Sequence, residues 1–209
     1  MILVALALLQ EAETLAWRFD PPLDIRWSSE TKGPGLDITV EIEGSLAVEK
    51  DANPPRLALR IRAVRMSGTV KGEPIDVRDD ERMTQPLRLR GTPLGRFVPE
   101  GDHPLRDLLA GRGVFLGPEL PEKPVRAGDT WRAPMQSGKA PEIEAAFTAA
   151  SRDGRIVRIT ADERPVAGTR LQVEGFFDAA AGRWTRVTTT AESGDTRSVI
   201  RLIVGASSK

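Results

Sequence analysis

The stretch LDITVEIEGSLAVEKDANPPRLALRIRAVRMSGTV, Leu36 to Val70, decides the fold. Leu36, Ile38, Val40 and Ile42 alternate with Asp37, Thr39, Glu41 and Glu43, the period-two pattern of a strand with one face in a core. Gly44 interrupts the run as a bulge would, and Leu46 and Val48 keep the phase. Asp51-Ala52-Asn53-Pro54-Pro55 reads as a turn, because Asp and Asn side chains bond nearby backbone and proline fixes φ. Leu57, Leu59 and Ile61 then return, and the phase slips at Ala63-Val64 before Met66, as a second bulge would re-aim the strand. The reading is one long antiparallel hairpin, Leu36 to Val70. Strands of this length favour a twisted, curved sheet.

The same alternation runs outward in both directions. Upstream, Leu15, Trp17 and Phe19 share one face and Pro21-Pro22 end that predicted strand; Leu23, Ile25 and Trp27 form the next. Downstream, Ile143, Ala145, Phe147 and Ala149 lead to the Asp153-Gly154 turn, and Val157, Ile159 and Ala161 return. Leu171, Val173, Gly175 and Phe177 follow, then a turn at Asp178–Arg183, a polar strand from Trp184 to Glu192, a Gly194-Asp195 turn, and Ser198–Val204. About four strands are expected in each half. One short helix is expected where Asp102-His103-Pro104 precedes Leu105, Leu108 and Leu109, with Pro104 at the first helical position and Gly111 or Gly113 as the stop. The fold class is mainly β: a curved antiparallel sheet, half-barrel or barrel-like, with one short helix and an N-terminal signal helix. Closed barrel, half-barrel around the helix, and two-sheet sandwich all fit the pattern.

Between the halves lies GPELPEKPVRAGDTW, Gly117–Trp131. Pro118, Pro121 and Pro124 forbid helix and favour extended chain. Gly128-Asp129 makes a turn, and Trp131 is an apolar anchor beyond it. Together with the late turn GFFDAAAGRW (Gly175–Trp184), this stretch resembles a group of exported bacterial β-rich proteins. Those proteins carry a mid-chain P-x-K-P-V-x-x-G-D-x-W pattern, which Pro121, Lys123, Pro124, Val125, Gly128, Asp129 and Trp131 fill here. Phe177, Asp178, Gly182 and Arg183 fill their later Phe-Asp…Gly-Arg pattern. The shape is also similar to the half-barrel of periplasmic lipoprotein carriers, in which a curved sheet shelters an apolar concave face under a small helix. The resemblance spans most of the chain after Trp17 and implies fold, not catalytic residues. Two departures stand out: the chain has no lipid-anchor cysteine, and its apolar leader is short.

That leader is MILVALALL, Met1–Leu9. A spanning helix needs about 20 apolar residues. A run this short matches the apolar region of an export signal, though no positive residue precedes it. Cleavage is expected between about Glu11 and Leu15, where no small-x-small motif stands. Residues 1–12 are therefore read as a signal-peptide remnant and 13–209 as a single antiparallel β domain with its Pro-rich connector at 117–131. A buried first strand or short helix is the other reading of Met1–Leu9. The location follows: exported, periplasmic or extracellular with the signal, cytoplasmic without it, and no stable membrane span in the mature form.

Composition narrows the chemistry. The 209 residues are 40% hydrophobic, enough for a real core, and 30 basic residues balance 30 acidic ones. The arginines are scattered singly, so no block tracks a nucleic-acid backbone. Arg56, Arg60, Arg62 and Arg65 come closest; a solvated sheet face is the ordinary reading, a patch for an anionic lipid or polymer the sharper one. Absence of cysteine excludes a thiol nucleophile, a thiolate metal site and a disulfide. The single histidine, His103, sits at the predicted helix start, where a capping role is commoner than catalysis. Asp76, Asp79, Asp80 and Glu81 lack calcium-loop spacing and have Arg78 and Arg82 among them. Gly91–Gly95 (GTPLG) lacks the ending of a phosphate loop. No metal or cofactor is expected.

The leading functional reading is a non-catalytic protein sheltering an apolar ligand such as a lipid. Trp17, Trp27, Phe147, Phe177, Leu105 and Leu108 are the candidate lining residues, although core packing is the commoner fate of such side chains. A second reading is an envelope structural or protein-interaction module that binds a partner through an unpaired edge, with Ser198–Val204 the first candidate. A carboxylate-based hydrolase is the third, and no Asp/Glu pair in the chain nominates itself for it.

Overall fold

The structure is a computed structural model that describes residues 12–19, 22–49, 56–78, 81–83, 85–92, 94–95, 97–106, 116–135, 143–166 and 168–206. Twelve strands form one antiparallel sheet: β1 (Leu23–Gly33), β2 (Leu36–Glu49), β3 (Arg56–Val70), β4 (Glu73–Arg78), β5 (Leu87–Gly91), β6 (Phe97–Glu100), β7 (Thr130–Met135), β8 (Ile143–Asp153), β9 (Ile156–Val166), β10 (Thr169–Asp178), β11 (Arg183–Ser193) and β12 (Thr196–Ala206). The strand order is β6-β5-β3-β2-β1-β12-β11-β10-β9-β8-β7, with β4 beside the far half of β3. Each half of the chain is thus a six-strand meander rather than four strands. The meanders are joined at their centre by β1 and β12, in register from Leu23↔Ala206 to Lys32↔Arg197. The sheet does not close, and it curves around one apolar cluster fed by strands from β6 at one end to β7 at the other.

Alternation explains the two faces. Leu23, Ile25 and Trp27 point inward and are buried, while Asp24 and Arg26 between them meet outward partners, Arg62 and Glu43. The expected hairpin is present, from Leu36↔Val70 to Glu49↔Arg56. Its two predicted irregularities are a single bulge: Glu43 pairs Ala63, Gly44 pairs Ile61, and Arg62 is the extra residue. The bulge keeps Leu57, Leu59, Ile61 and Val64 in the core while Arg56, Arg60, Arg62 and Arg65 all stay exposed. Gly44 is required there, since a Cβ would lie 2.5 Å from the Arg60 carbonyl oxygen. A second bulge in β11 skips Thr185, so that Trp184 opposes Phe177. Gly175 leaves room for that indole: its Cβ would lie 2.6 Å from the Trp184 ring.

Two expectations change. Leu15, Trp17 and Phe19 do not form a ladder strand; the segment is extended, with one isolated bridge at Glu13. The Ser198–Val204 edge does not exist, because β12 is hydrogen-bonded on both sides, to β1 and β11. The sheet ends at β6 and β7 instead, and these carry Pro99 and Pro134, which offer no amide to an incoming strand. The expected short helix falls partly outside the described residues. Arg106 is helical, and residues 107–115, Leu108 among them, lie outside the described residues, as do Met1–Glu11 and the Asp51–Pro55 turn. The sequence reading missed a single 3-10 turn at Glu81–Met83. No helix among the described residues is long and apolar enough to cross a membrane.

Candidate functional site

The inner face of the sheet shares its apolar cluster with residues from outside the strands. Two segments without ladder pairing cover it: an N-terminal strap, residues 12–19, and the connector, residues 116–129. The proline series in the connector, Pro118, Pro121 and Pro124, keeps that segment extended.

The strap is clipped at two points. Glu13 and Val125 exchange both backbone bonds at 2.9 Å, and the Glu13 carboxylate meets Arg152 at 2.9 Å. At the other end the Arg18 amide donates to the Gly182 carbonyl at 2.6 Å, and its guanidinium reaches the Ala180 carbonyl at 3.2 Å. Between the clips Leu15 and Trp17 drop into the core, 0% and 4% exposed. Trp17 stacks on Phe19 at 5.3 Å and meets Phe97 edge-on at 5.7 Å.

Both sequence patterns that carry the resemblance serve this cover. In the late turn, buried Asp178 accepts from the Ala181 amide at 2.9 Å and pairs with Arg155 at 3.0 Å. Gly182 (φ +62°) closes the turn beneath the strap; a Cβ there would lie 2.4 Å from Arg18 Cγ and 2.8 Å from the Ala16 carbonyl oxygen. In the connector, Asp129 accepts from the Arg126 amide at 2.8 Å, as a turn-stabilising aspartate should. Leu120 donates to the Leu94 carbonyl at 2.6 Å, and the Trp131 indole donates to the Glu119 carbonyl at 3.0 Å. The connector therefore bonds to both ends of the open sheet: Leu94 stands between β5 and β6, and Trp131 lies in β7.

Five of the six candidate lining residues are packed in the core. Trp17, Trp27, Phe147, Phe177 and Leu105 are between 0% and 4% exposed and belong to one hydrophobic cluster. Leu108 lies outside the described residues. Trp17, Phe147, Phe177 and Leu105 border none of the three described clefts, and Trp27 touches only a hollow of about 350 Å³ shared with Arg26, Glu41, Glu43 and Arg65. The cover is nonetheless not fully satisfied. The indole N–H groups of Trp17 and Trp184 are buried and find no acceptor among the described residues. Each lies against a glycine with positive φ, Gly95 (+100°) and Gly117 (+98°), where a Cβ would come within 2.8 and 2.6 Å of the indole nitrogen. An unpaired buried donor costs about 1–3 kcal/mol.

The other candidate chemistries dissolve into structure. His103 is buried; its Nδ1 accepts from the Leu105 amide at 3.1 Å, so its Nε2 donates to the Gln85 carbonyl at 3.0 Å. Both ring nitrogens thus tie a loop to the approach of β5. Asp76 pairs with Arg78 at 3.0 Å on the surface, and Asp79 and Asp80 lie outside the described residues. Among the described residues no three His, Asp or Glu side chains gather as a metal site would require. The strap clips were missed by sequence reasoning. Gly182 was flagged only as part of a pattern, and Glu13 and Arg152 are too far apart in the chain for spacing to join them.

No protein-family model matches the chain, and no curated protein matches it in sequence.

Proposed function

We propose that the protein is a non-catalytic, exported binding protein that takes an apolar ligand, such as a lipid chain, at its concave face, and that the strap yields its place to the ligand. The observation that carries this reading is the unequal construction of the two layers. A fully laddered sheet is covered by two segments held through a handful of backbone bonds. Burial of Leu15 and Trp17 holds the strap by roughly 5 kcal/mol, at ~1.5–3 kcal/mol per large apolar side chain. An acyl chain gains ~0.8 kcal/mol per buried methylene, so about seven methylenes match the strap and a longer chain outcompetes it. The resemblance to exported β-rich proteins and to lipoprotein-carrier half-barrels supports the same reading, as does the structural employment of His103.

The test is mass spectrometry of an organic extract from protein purified out of a bacterial periplasm, beside the same extract from cytoplasmic protein, followed by titration with a fluorescent fatty acid. A stoichiometric apolar molecule in the periplasmic sample and saturable binding of the probe are expected. A clean protein with no saturable binding contradicts the proposal.

A further inference from the structure

A cleft of about 880 Å³ lies where the ends of β2, β3 and β5 meet the Gly101–His103 loop. It opens on the outward side of the sheet: Leu57, Leu59 and Ile61 belong to the core, and the alternate residues Arg56, Ala58 and Arg60 line the cleft. Val48, Ala58 and Pro86 give it an apolar side, and Val48 is 38% exposed, unusual here for a large aliphatic residue.

The charges in the cleft are unevenly satisfied. Arg88 pairs with Glu49 at 3.3 Å, and Arg56 with Glu100 at 3.4 Å. Arg90, directly opposite Arg56 in the ladder, shares Glu100 at 3.5 Å, which relieves the apposition of two like charges. Arg60 and Asp102 remain. Both are exposed, and neither side chain has an ion pair or hydrogen bond among the described residues.

One unpaired cation and one unpaired anion beside an apolar strip are complementary to a zwitterion. A bare anion would meet the carboxylates of Glu49, Glu100 and Asp102; a bare cation would meet the arginines. Arg60 and Asp102 form no ion pair with each other, so a ligand that carries both charges can bridge them. A guanidinium fork also matches phosphate oxygens in pairs. We propose that this cleft binds a phosphate–ammonium zwitterion, the chemistry of a phosphoethanolamine group, with the phosphate on Arg60 and the ammonium on Asp102. The site lies on the face opposite the apolar interior and does not rest on the strap being displaced.

The experiment is titration of the ¹⁵N-labelled protein with glycerophosphoethanolamine, beside glycerol 3-phosphate and ethanolamine separately. Saturable shifts at Ala58, Arg60 and Asp102 are expected, with the zwitterion binding at least about tenfold tighter than either half, as two charge-assisted contacts require. Arg60→Gln and Asp102→Asn should each weaken it by about tenfold while leaving thermal unfolding unchanged, since both side chains are exposed. Co-sedimentation with phosphatidylethanolamine vesicles, lost in Arg60→Gln, would assign the group to a bilayer headgroup; saturation by the soluble ester without sedimentation would assign it to a free phosphodiester. Equal binding of glycerol 3-phosphate, shifts confined to other surfaces, no saturation, or indifference to both substitutions would overturn the proposal.

Discussion

The sheet and its cover are built by different rules. In the sheet every strand is held along its length by a neighbour, and its outward face is tied by exposed pairs such as Arg62–Asp24, Arg158–Glu174 and Arg201–Glu30. Each such pair contributes little alone, typically about 0–1 kcal/mol. In the cover, the strap and connector are held by particular contacts: a bridge at Glu13–Val125, a turn at Gly182, and glycines that make room for indoles. The sheet therefore tolerates loss of most surface residues, whereas the cover depends on a few positions. On the proposed function, that difference is what allows one layer to move while the other stays folded.

The comparison can be broken most severely where the layers touch. Trp184→Ala empties the contact between β11 and the connector, and should destabilise the whole protein by about 3–5 kcal/mol in urea unfolding. Gly117→Ala attacks the same contact from the cover side, adding both a strained φ and a Cβ 2.6 Å from the Trp184 nitrogen. A loss of about 2–3 kcal/mol is expected, and a change below 0.5 kcal/mol would mean the connector rests loosely on the indole.

Gly182→Ala sharpens the distinction, because it loosens one strap clip and leaves the ladder alone. Its φ of +62° alone disfavours alanine by about 1–2 kcal/mol. Proteolysis should then cut the strap faster while the sheet unfolds at nearly the wild-type denaturant concentration; a matching fall in both would show that strap and sheet form one cooperative unit. The smallest effect belongs to the surface of the sheet. The hydrogen bond from Arg170 holds the Asp162 carboxyl below the usual carboxylate range. A depressed folded-state value means the pair stabilises at neutral pH, and the contribution disappears as pH falls through that value. Asp162→Asn should therefore melt slightly lower than wild type at pH 7 and level with it in acid.

Much of the sheet was legible because alternation is a local signal. The Leu36–Val70 hairpin, the Asp153-Gly154 turn and the strands around Leu171 and Trp184 follow from side-chain period and turn residues alone. Alternation does not reveal pairing, however. Leu15, Trp17 and Phe19 alternate like a strand, yet the segment makes only an isolated bridge, Glu13 to Val125, among the described residues. Ser198–Val204 reads equally well as edge or centre, and only the β1–β12 ladder decides it. The candidate site was legible as a set of buried aromatics, Trp17, Trp27, Phe147 and Phe177, but not as an arrangement. The strap clips join residues more than a hundred positions apart, and no spacing rule reaches that far.

The measurement that most directly tests the two-layer account is native-state hydrogen exchange of single amides. The Glu13 and Val125 amides, bonded to each other's carbonyls within the cover, and the Arg18 amide, bonded to Gly182 in the β10–β11 turn, should exchange through a local opening whose free energy is well below that of global unfolding. The amides of Trp27 and Leu202, at the centre of the β1–β12 ladder, should exchange only with global unfolding. If the cover amides exchange at the same rate as those of Trp27 and Leu202, with the same dependence on denaturant, the strap does not open separately and the account fails.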